Sequence, residues 1–315
     1  MHQPTPQILT PSLAPAKINL FLDILSRRAD GYHNIHTAFC SVTLFDELRI
    51  RAAGQRSDSA TMPIRSFTVS GPFANGVPTD ERNIVWQAVT RAIATLRQQH
   101  CRFWDRYYPR FDIELVKNIP HGAGLGGGSS DAATALRLLD DAVHSAAVAA
   151  GYGDLRMEPR EIFNIAAALG SDVPYFLSGG FSEATGRGER LTPIPSRDLS
   201  LLIVKPDFAV STREAYAAAT QSFSPRSDFA QLKKWLAGES AEFPELYNSF
   251  EPALDSMYPE LRRIREDLRH EGAIFARLSG SGSASFGLFA DDDARDRAHA
   301  ILRDIYNCFP CNAIT

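Results

Sequence analysis

Hydrophobic and polar positions alternate from Ala16 to Leu25 in a β-prone stretch, the period-two pattern of a strand. A turn over Arg27 to Gly31 follows, and a second strand is expected from about Ile35 to Thr43. Ala53 to Pro63 is polar and turn-rich, which predicts a surface loop. From Asn83 to about Gln99 the period changes, with Ile84, Ala88, Ala92 and Leu96 on one helical face. Phe111 to Val116 alternates again and runs into a glycine-rich loop, His121 to Gly128. Ser129 or Ser130 is placed to cap the next helix, which carries Ala132, Ala135, Leu136 and Leu139 at helical spacing.

The same periods predict helices over Arg160 to Leu169 (ended by Gly170), Thr212 to Ala219, Glu260 to His270 and Ala294 to Ile305. Leu199 to Lys205 reads as a buried strand, and Ala276 to Phe289 as two short strands around a Gly-Ser turn. There is no internal repeat and no regular βαβ alternation, so the pattern favours an α+β architecture over a doubly wound parallel sheet.

Composition narrows the partners. A length of 315 residues suffices for two domains, and 44% hydrophobic with 22% charged residues is ordinary for a globular protein. The net charge of −4 argues against nucleic acid, whose backbone requires a clustered cationic face. The longest apolar runs, such as Leu201 to Val204, are far too short to span a bilayer. The first fourteen residues hold three prolines and no arginine, reading as a floppy tail, and a cytoplasmic protein is expected. Cys40, Cys101, Cys308 and Cys311 are too scattered for a disulfide framework, and the lone Cys308–Cys311 pair reads as incidental thiols.

The chemistry concentrates in Pro120 to Asp131, where five glycines fall within seven positions. Glycines at this density let backbone N–H groups turn inward and approach a ligand closely, and a following helix adds free N–H groups and a positive dipole end. A polyphosphate is the natural occupant. A plain flexible loop is the alternative, although linkers seldom lie between a strand and a helix. Gly122, Gly124 and Gly127 also satisfy the dinucleotide fingerprint, but the spacer Asn118 to Pro120 and the missing βαβ context weaken it, and no Walker GK[ST] ends the loop. Lys17 lies in an otherwise apolar strand, where burial is costly unless the ammonium meets an anion; the alternative is a lysine snorkelling from a strand edge. Asn19, two residues on, shares its face. His33 and His36 fall on opposite strand faces, which argues against a metal pair, and no metal site is identified.

Three segments in order resemble the GHMP kinase family: Pro15 to Leu22, the glycine loop, and Leu278 to Ser283. Arg28 to His33 and Gly170 to Phe176 look like the branch that acts on a cytidine diphosphate methylerythritol. The resemblance covers nearly the whole chain. It is weakest over 53–80 and 222–248, and the stretch 143–157 looks like an inserted surface loop. It implies an N-terminal ribosomal-protein-S5-like domain (1–192) and a C-terminal ferredoxin-like α/β domain (193–315), with the site in the cleft between them. The implied reaction moves the γ-phosphoryl of ATP to the 2-hydroxyl of the methylerythritol, a step in the methylerythritol phosphate route to isoprenoid precursors.

By the same resemblance Asp172 accepts the hydroxyl proton and Lys17 neutralises charge beside it, although Asp172 also reads as a turn aspartate before Val173-Pro174. Asn19, Tyr32, His33 and Tyr216 would bind the cytidine substrate, the rings also reading as packing aromatics. Asn83, Lys117, Pro120, Gly122, Ala123, Gly124, Leu125, Gly126, Gly127, Gly128, Ser129 and Ser130 would bind ATP, Lys117 also reading as an ordinary strand-end residue. Gly280, Ser281 and Gly282 would close over the phosphates. Mg2+ is expected with ATP because the β- and γ-oxygens need neutralising. A monomer or weak homodimer is expected. The alternatives are another family kinase of the homoserine or mevalonate type, and a catalytically silent nucleotide-binding regulator.

Overall fold

The computed structural model describes residues 11–55, 62–107, 109–219 and 225–315. Strands β1 (Ser12–Arg27), β2 (His33–Gln55) and β3 (Ile64–Ser70) come first, then α1 (Ile84–Gln99), α2 (Cys101–Tyr107) and β4 (Pro109–Val116). Helices α3 (Gly127–Ala149), α4 (Pro159–Leu169) and α5 (Tyr175–Ser178) follow, then β5 (Phe181–Gly186), β6 (Arg190–Pro193) and β7 (Ser200–Lys205). Next come α6 (Thr212–Ala218), α7 (Phe229–Leu236), α8 (Glu251–Met257) and α9 (Pro259–His270). The last elements are β8 (Phe275–Leu278), β9 (Ser285–Phe289), α10 (Asp292–Leu302) and β10 (Asn307–Asn312). The chain forms two compact units whose segments interleave in sequence rather than meeting near residue 193. No helix among the described residues is long and apolar enough to cross a membrane.

The first unit comprises Asp46–Asn118 and Gly128–Val173 with residues 11–14. Within it the second half of β2 pairs antiparallel with β4, and β3 lies parallel to β4. The parallel pair needs a crossover, and α1 with α2 provides it. Every second residue of β4 is buried, placing Phe111, Ile113 and Leu115 in the core. Asn83 caps α1 through its Oδ1, which accepts from the Val85 N–H at 2.8 Å. The helix buries Val85, Ala88, Val89, Ala92, Ile93 and Leu96 and packs on α4, which stops at Gly170 as the sequence suggested.

The second unit comprises Pro15–Phe45, Ile119–Gly127 and Pro174–Thr315. Here β1 pairs with β2, whose first half pairs with β5 from Ile35↔Gly186 to Cys40↔Phe181; β6 flanks β5. A separate antiparallel sheet runs β10-β7-β9-β8. Strand β7 is apolar on both faces because both are covered. Leu201 and Ile203 face a cluster with Ala16, Ile18, Leu20, Leu232 and Trp235, whereas Leu202 and Val204 face Ile264, Leu268, Ala298 and Leu302 of α9 and α10. Pro310 is tolerated inside β10 because β10 is an edge strand.

Several expectations change. Helix α3 begins at Gly127, so Ser129 and Ser130 lie inside its first turn and do not cap it. The stretch 143–157 is not simply a surface loop: α3 continues to Ala149, and Val143, Ala146, Ala147, Leu155 and Met157 are buried. Asp140 ties that segment down, accepting from the Met157 N–H at 2.8 Å while its other oxygen meets Arg156 at 3.0 Å. Strand β1 begins at Ser12, inside the stretch read as a floppy tail, whose residues 1–10 lie outside the described residues. Strand β2 runs on to Gln55, well past Thr43, and most of the expected loop from Ala53 to Pro63 lies outside the described residues. The Cys308–Cys311 pair sits in β10, and burial pushes both thiols up to about 12, which leaves little thiolate to bind metal or exchange.

Candidate active site

The glycine loop is anchored by its two apolar side chains. Ala123 and Leu125 are buried in the core of the second unit, which fixes the path of Gly124 between them. Four consecutive carbonyls of the loop are engaged by the protein. Gly122 O accepts from Ser283 N at 3.4 Å, Ala123 O from Ala284 N at 3.1 Å, and Leu125 O from Lys17 N at 2.9 Å. Gly124 O accepts from the Lys17 ammonium at 2.9 Å and from Ser279 Oγ at 3.1 Å. The N–H groups of the same four residues donate to nothing among the described residues. A backbone with its acceptors committed and its donors open is a cradle for an anion.

Gly124 has φ +74°, and a Cβ there would collide with the Ser279 carbonyl, so only glycine lets the loop lie on the late turn. Gly280 has φ +56°, and a Cβ there would stand 3.1 Å from Asn19 Oδ1 and 3.3 Å from Lys17 Nζ. The turn Gly280–Gly282 therefore sits against the Lys17–Asn19 pair. Asn248 holds that turn in place: its amide nitrogen donates to Leu278 O at 2.8 Å and Gly280 O at 2.9 Å, and its Oδ1 accepts from Phe250 N at 2.9 Å. Ser281 Oγ lies 3.1 Å from Thr212 Oγ1. Asn248 had no sequence signal, because its partners lie 30 and 32 residues away.

Lys17 is buried, as its apolar setting suggested, and is not a snorkelling edge residue. Its ammonium donates to Asn19 Oδ1 at 2.7 Å as well as to Gly124 O, and sits 5.2 Å over the Phe39 ring. Asn19 in turn donates from Nδ2 to Thr37 Oγ1 at 2.8 Å. Tyr32 is 53% exposed, with the Arg187 guanidinium 4.8 Å over its ring. His33 and Tyr216 stack directly, with ring centroids 4.7 Å apart and planes 13° from parallel. Rings at that distance leave no gap for a third between them, so a base would lie beside this pair. Burial, helped by the Arg27 cation, holds the His33 imidazole below its usual range, leaving it neutral at pH 7 and able to accept a hydrogen bond.

Gly128, Asn83, Lys117, Ser129, Ser130 and Asp172 belong to the other unit. The Lys117 ammonium is buried between Asp46 and Asp131, 2.7 Å from Asp131 Oδ2 and in contact with Asp46 Oδ2. Asp46 also accepts from Asn118 N at 2.6 Å. The three side chains thus fasten β2, the end of β4 and the N-terminal part of α3 together. Burial raises the Asp131 carboxyl to about 8; Lys117 opposes that rise and Asp46 adds to it. The Asn83 amide is likewise occupied, by its cap and by Pro78 O at 2.7 Å. Asp172 is half-buried in the turn after α4. Ser130 is fully buried and its Oγ has no hydrogen-bond partner among the described residues. Among the described residues no three His, Cys, Asp or Glu side chains gather where they could hold a metal ion.

The chain matches the GHMP kinases N terminal domain over residues 83–180 and the GHMP kinases C terminal domain over residues 220–308. It belongs to the GHMP kinase family. A 4-diphosphocytidyl-2-C-methyl-D-erythritol kinase of Parabacteroides distasonis is 37% identical over 281 residues, 87% of this chain and 89% of its own. One of Pelotomaculum thermopropionicum is 38% identical over 300 residues, 93% of each. The crystal structure of a 4-(cytidine 5'-diphospho)-2C-methyl-D-erythritol kinase superposes with a TM-score of 0.75 at 32% identity, over 97% of this chain and the whole of that one.

Proposed function

We propose that this kinase transfers the γ-phosphoryl of ATP to the 2-hydroxyl of 4-diphosphocytidyl-2-C-methyl-D-erythritol, toward isoprenoid precursors. The observation that carries the phosphotransfer reading is the loop Gly122–Leu125, whose carbonyls are all bonded and whose N–H groups are open among the described residues. The choice of alcohol follows the relatives' names. In the reaction the bond from the γ-phosphorus to its bridging oxygen breaks and ADP leaves. A new bond forms to the substrate oxygen, whose proton passes to Asp172. Lys17 supplies a cation for the charge on the phosphoryl oxygens, and Asn19 orients that cation. The N–H groups of the loop and of the first turn of α3, with Ser129 and Ser130, hold the phosphates.

Mg2+ suits this site by donor chemistry: Ser130 Oγ, without a partner among the described residues, is a hard oxygen that would hold it alongside the ATP phosphates. When bound, the ion neutralises the β- and γ-oxygens. The two family matches fall on either side of residue 193, which supports a functional division of the chain there. A cytoplasmic setting, where ATP is plentiful, and a monomer or weak homodimer complete the reading.

A phosphorylation assay offering the cytidine diphosphate substrate beside homoserine and mevalonate tests the function. Only the first should consume ATP, and preference for either of the others would overturn the assignment. The cytidine subsite has its own test. Tyr32→Ala should raise KM for the cytidine substrate about 5- to 150-fold, since stacking one base on an aromatic ring contributes about 1–3 kcal/mol. KM for ATP should stay put. An unchanged KM for both substrates would place the base elsewhere.

A further inference from the structure

We propose that Thr37 is a positioning residue that fixes which way the Asn19 amide faces, and through it the direction of the Lys17 ammonium. The proposal rests on the reading of Lys17 as the cation at the transferring phosphoryl group. Thr37 lies on β2, is fully buried, and touches no atom assigned above to a substrate.

The argument is one of hydrogen-bond polarity. A lysine ammonium can only donate, so the Asn19 atom 2.7 Å from Lys17 Nζ must be the carbonyl oxygen, Oδ1. The planar amide then turns its nitrogen the other way, where Nδ2 meets Thr37 Oγ1 at 2.8 Å. The threonine hydroxyl has a single proton, and that proton goes to the main-chain carbonyl of Phe21. Its oxygen is left to accept, which is what an amide N–H requires. The chain from Lys17 through Asn19 and Thr37 to Phe21 O has one consistent direction, set by an obligatory donor at one end and an obligatory acceptor at the other. Asparagine oxygens and nitrogens usually have to be assigned by inference. Here both neighbours dictate the answer.

Burial gives this direction its force. Lys17, Asn19 and Thr37 are 4%, 2% and 0% exposed, so a reversed amide would set its N–H protons against the ammonium with no water to relieve the clash. Take away the hydroxyl and Nδ2 loses its acceptor, leaving the Lys17 ammonium as the amide's one tether among the described residues and its plane free to tilt. Thr37→Val keeps the shape and removes the oxygen; Thr37→Ser keeps the oxygen.

The test is a double-mutant cycle in the full-length enzyme with ATP and the cytidine substrate. Thr37→Val should lower kcat roughly 10- to 100-fold, the cost of misplacing a catalytic group by a fraction of its reach. Both KM values should stay within about twofold, and Thr37→Ser should recover most of the rate. In an Asn19→Ala background the Thr37 substitution should cost nothing further, because its route to Lys17 is gone; a general packing role would cost the same in both backgrounds. If Thr37→Val does not fold, Thr37→Ala carries the same cycle. An unchanged kcat in the single variant, or an equal loss with and without Asn19, overturns the proposal. Failure of the parent enzyme to phosphorylate the cytidine substrate would instead sink the functional reading, before any variant is compared.

Discussion

Asp172→Asn yields a folded protein that binds ATP and turns over at roughly a hundredth to a ten-thousandth of the parent rate, the usual range for losing a general base. Carboxylates as a class are too weakly basic to deprotonate a free alcohol in advance. Asp172 can take the proton late, as the oxygen–phosphorus bond forms and the hydroxyl becomes acidic. The asparagine amide has the same shape and one acceptor oxygen but no basicity. Because Asp172 is half-buried in a turn, the neutral replacement should disturb the fold little. The measurements are kcat, the ATP dissociation constant and the thermal midpoint. A variant with full kcat and a lowered midpoint would mark Asp172 as a turn residue and nothing more.

The second large effect falls on stability. Lys117→Met removes the ammonium that meets Asp46 and Asp131 in the interior, and removing one partner of a buried ion pair costs about 3–5 kcal/mol. The urea midpoint should drop accordingly, and an unchanged midpoint would show that the carboxylates can relax to water. Asp131 adds a pH signature. Its carboxyl is raised from 3.8 in the unfolded chain to about 8 in the folded one, first by burial and further by Asp46, against the pull of Lys117. The folded state therefore holds a proton that the unfolded state releases. That contribution is complete below about pH 4 and disappears as pH rises through about 8. Asp131→Asn, which keeps the shape without the titration, should remove this part of the pH dependence. If the variant's stability falls between pH 4 and 8 as steeply as the parent's, the proton resides elsewhere.

Local signals were read correctly where local physics decides. The apolar period of 3.6 that opens at Asn83 gave α1, and Gly170 gave the end of α4. The apolar run at Leu201 gave a strand buried on both faces. Pairing over distance was not legible. Asp46 meets Lys117 across 71 residues, and nothing in the sequence around Lys117 announces that carboxylate partner. The Ser129 and Ser130 expectation failed because a glycine can enter a helix when the loop before it is pinned, and α3 starts two residues before the first serine. Strand β10 escaped notice because Asn307–Asn312 contains a proline and no alternation, and only its register with β7 defines it. Asn19 was placed on the face of Lys17 by strand period alone, and the hydrogen bond between them agrees.

The position of β10 has a consequence for how the polypeptide is made. Strand β7 receives its outer neighbour only when Asn307–Asn312 leaves the ribosome, long after Lys205 has emerged. Throughout that interval a strand of consecutive leucine, isoleucine and valine carries an unpaired row of backbone groups, the situation in which nascent chains join edge to edge. Conditions that slow translation after Lys205, or that withhold chaperones, should therefore reduce the yield of soluble product more than they alter the finished enzyme.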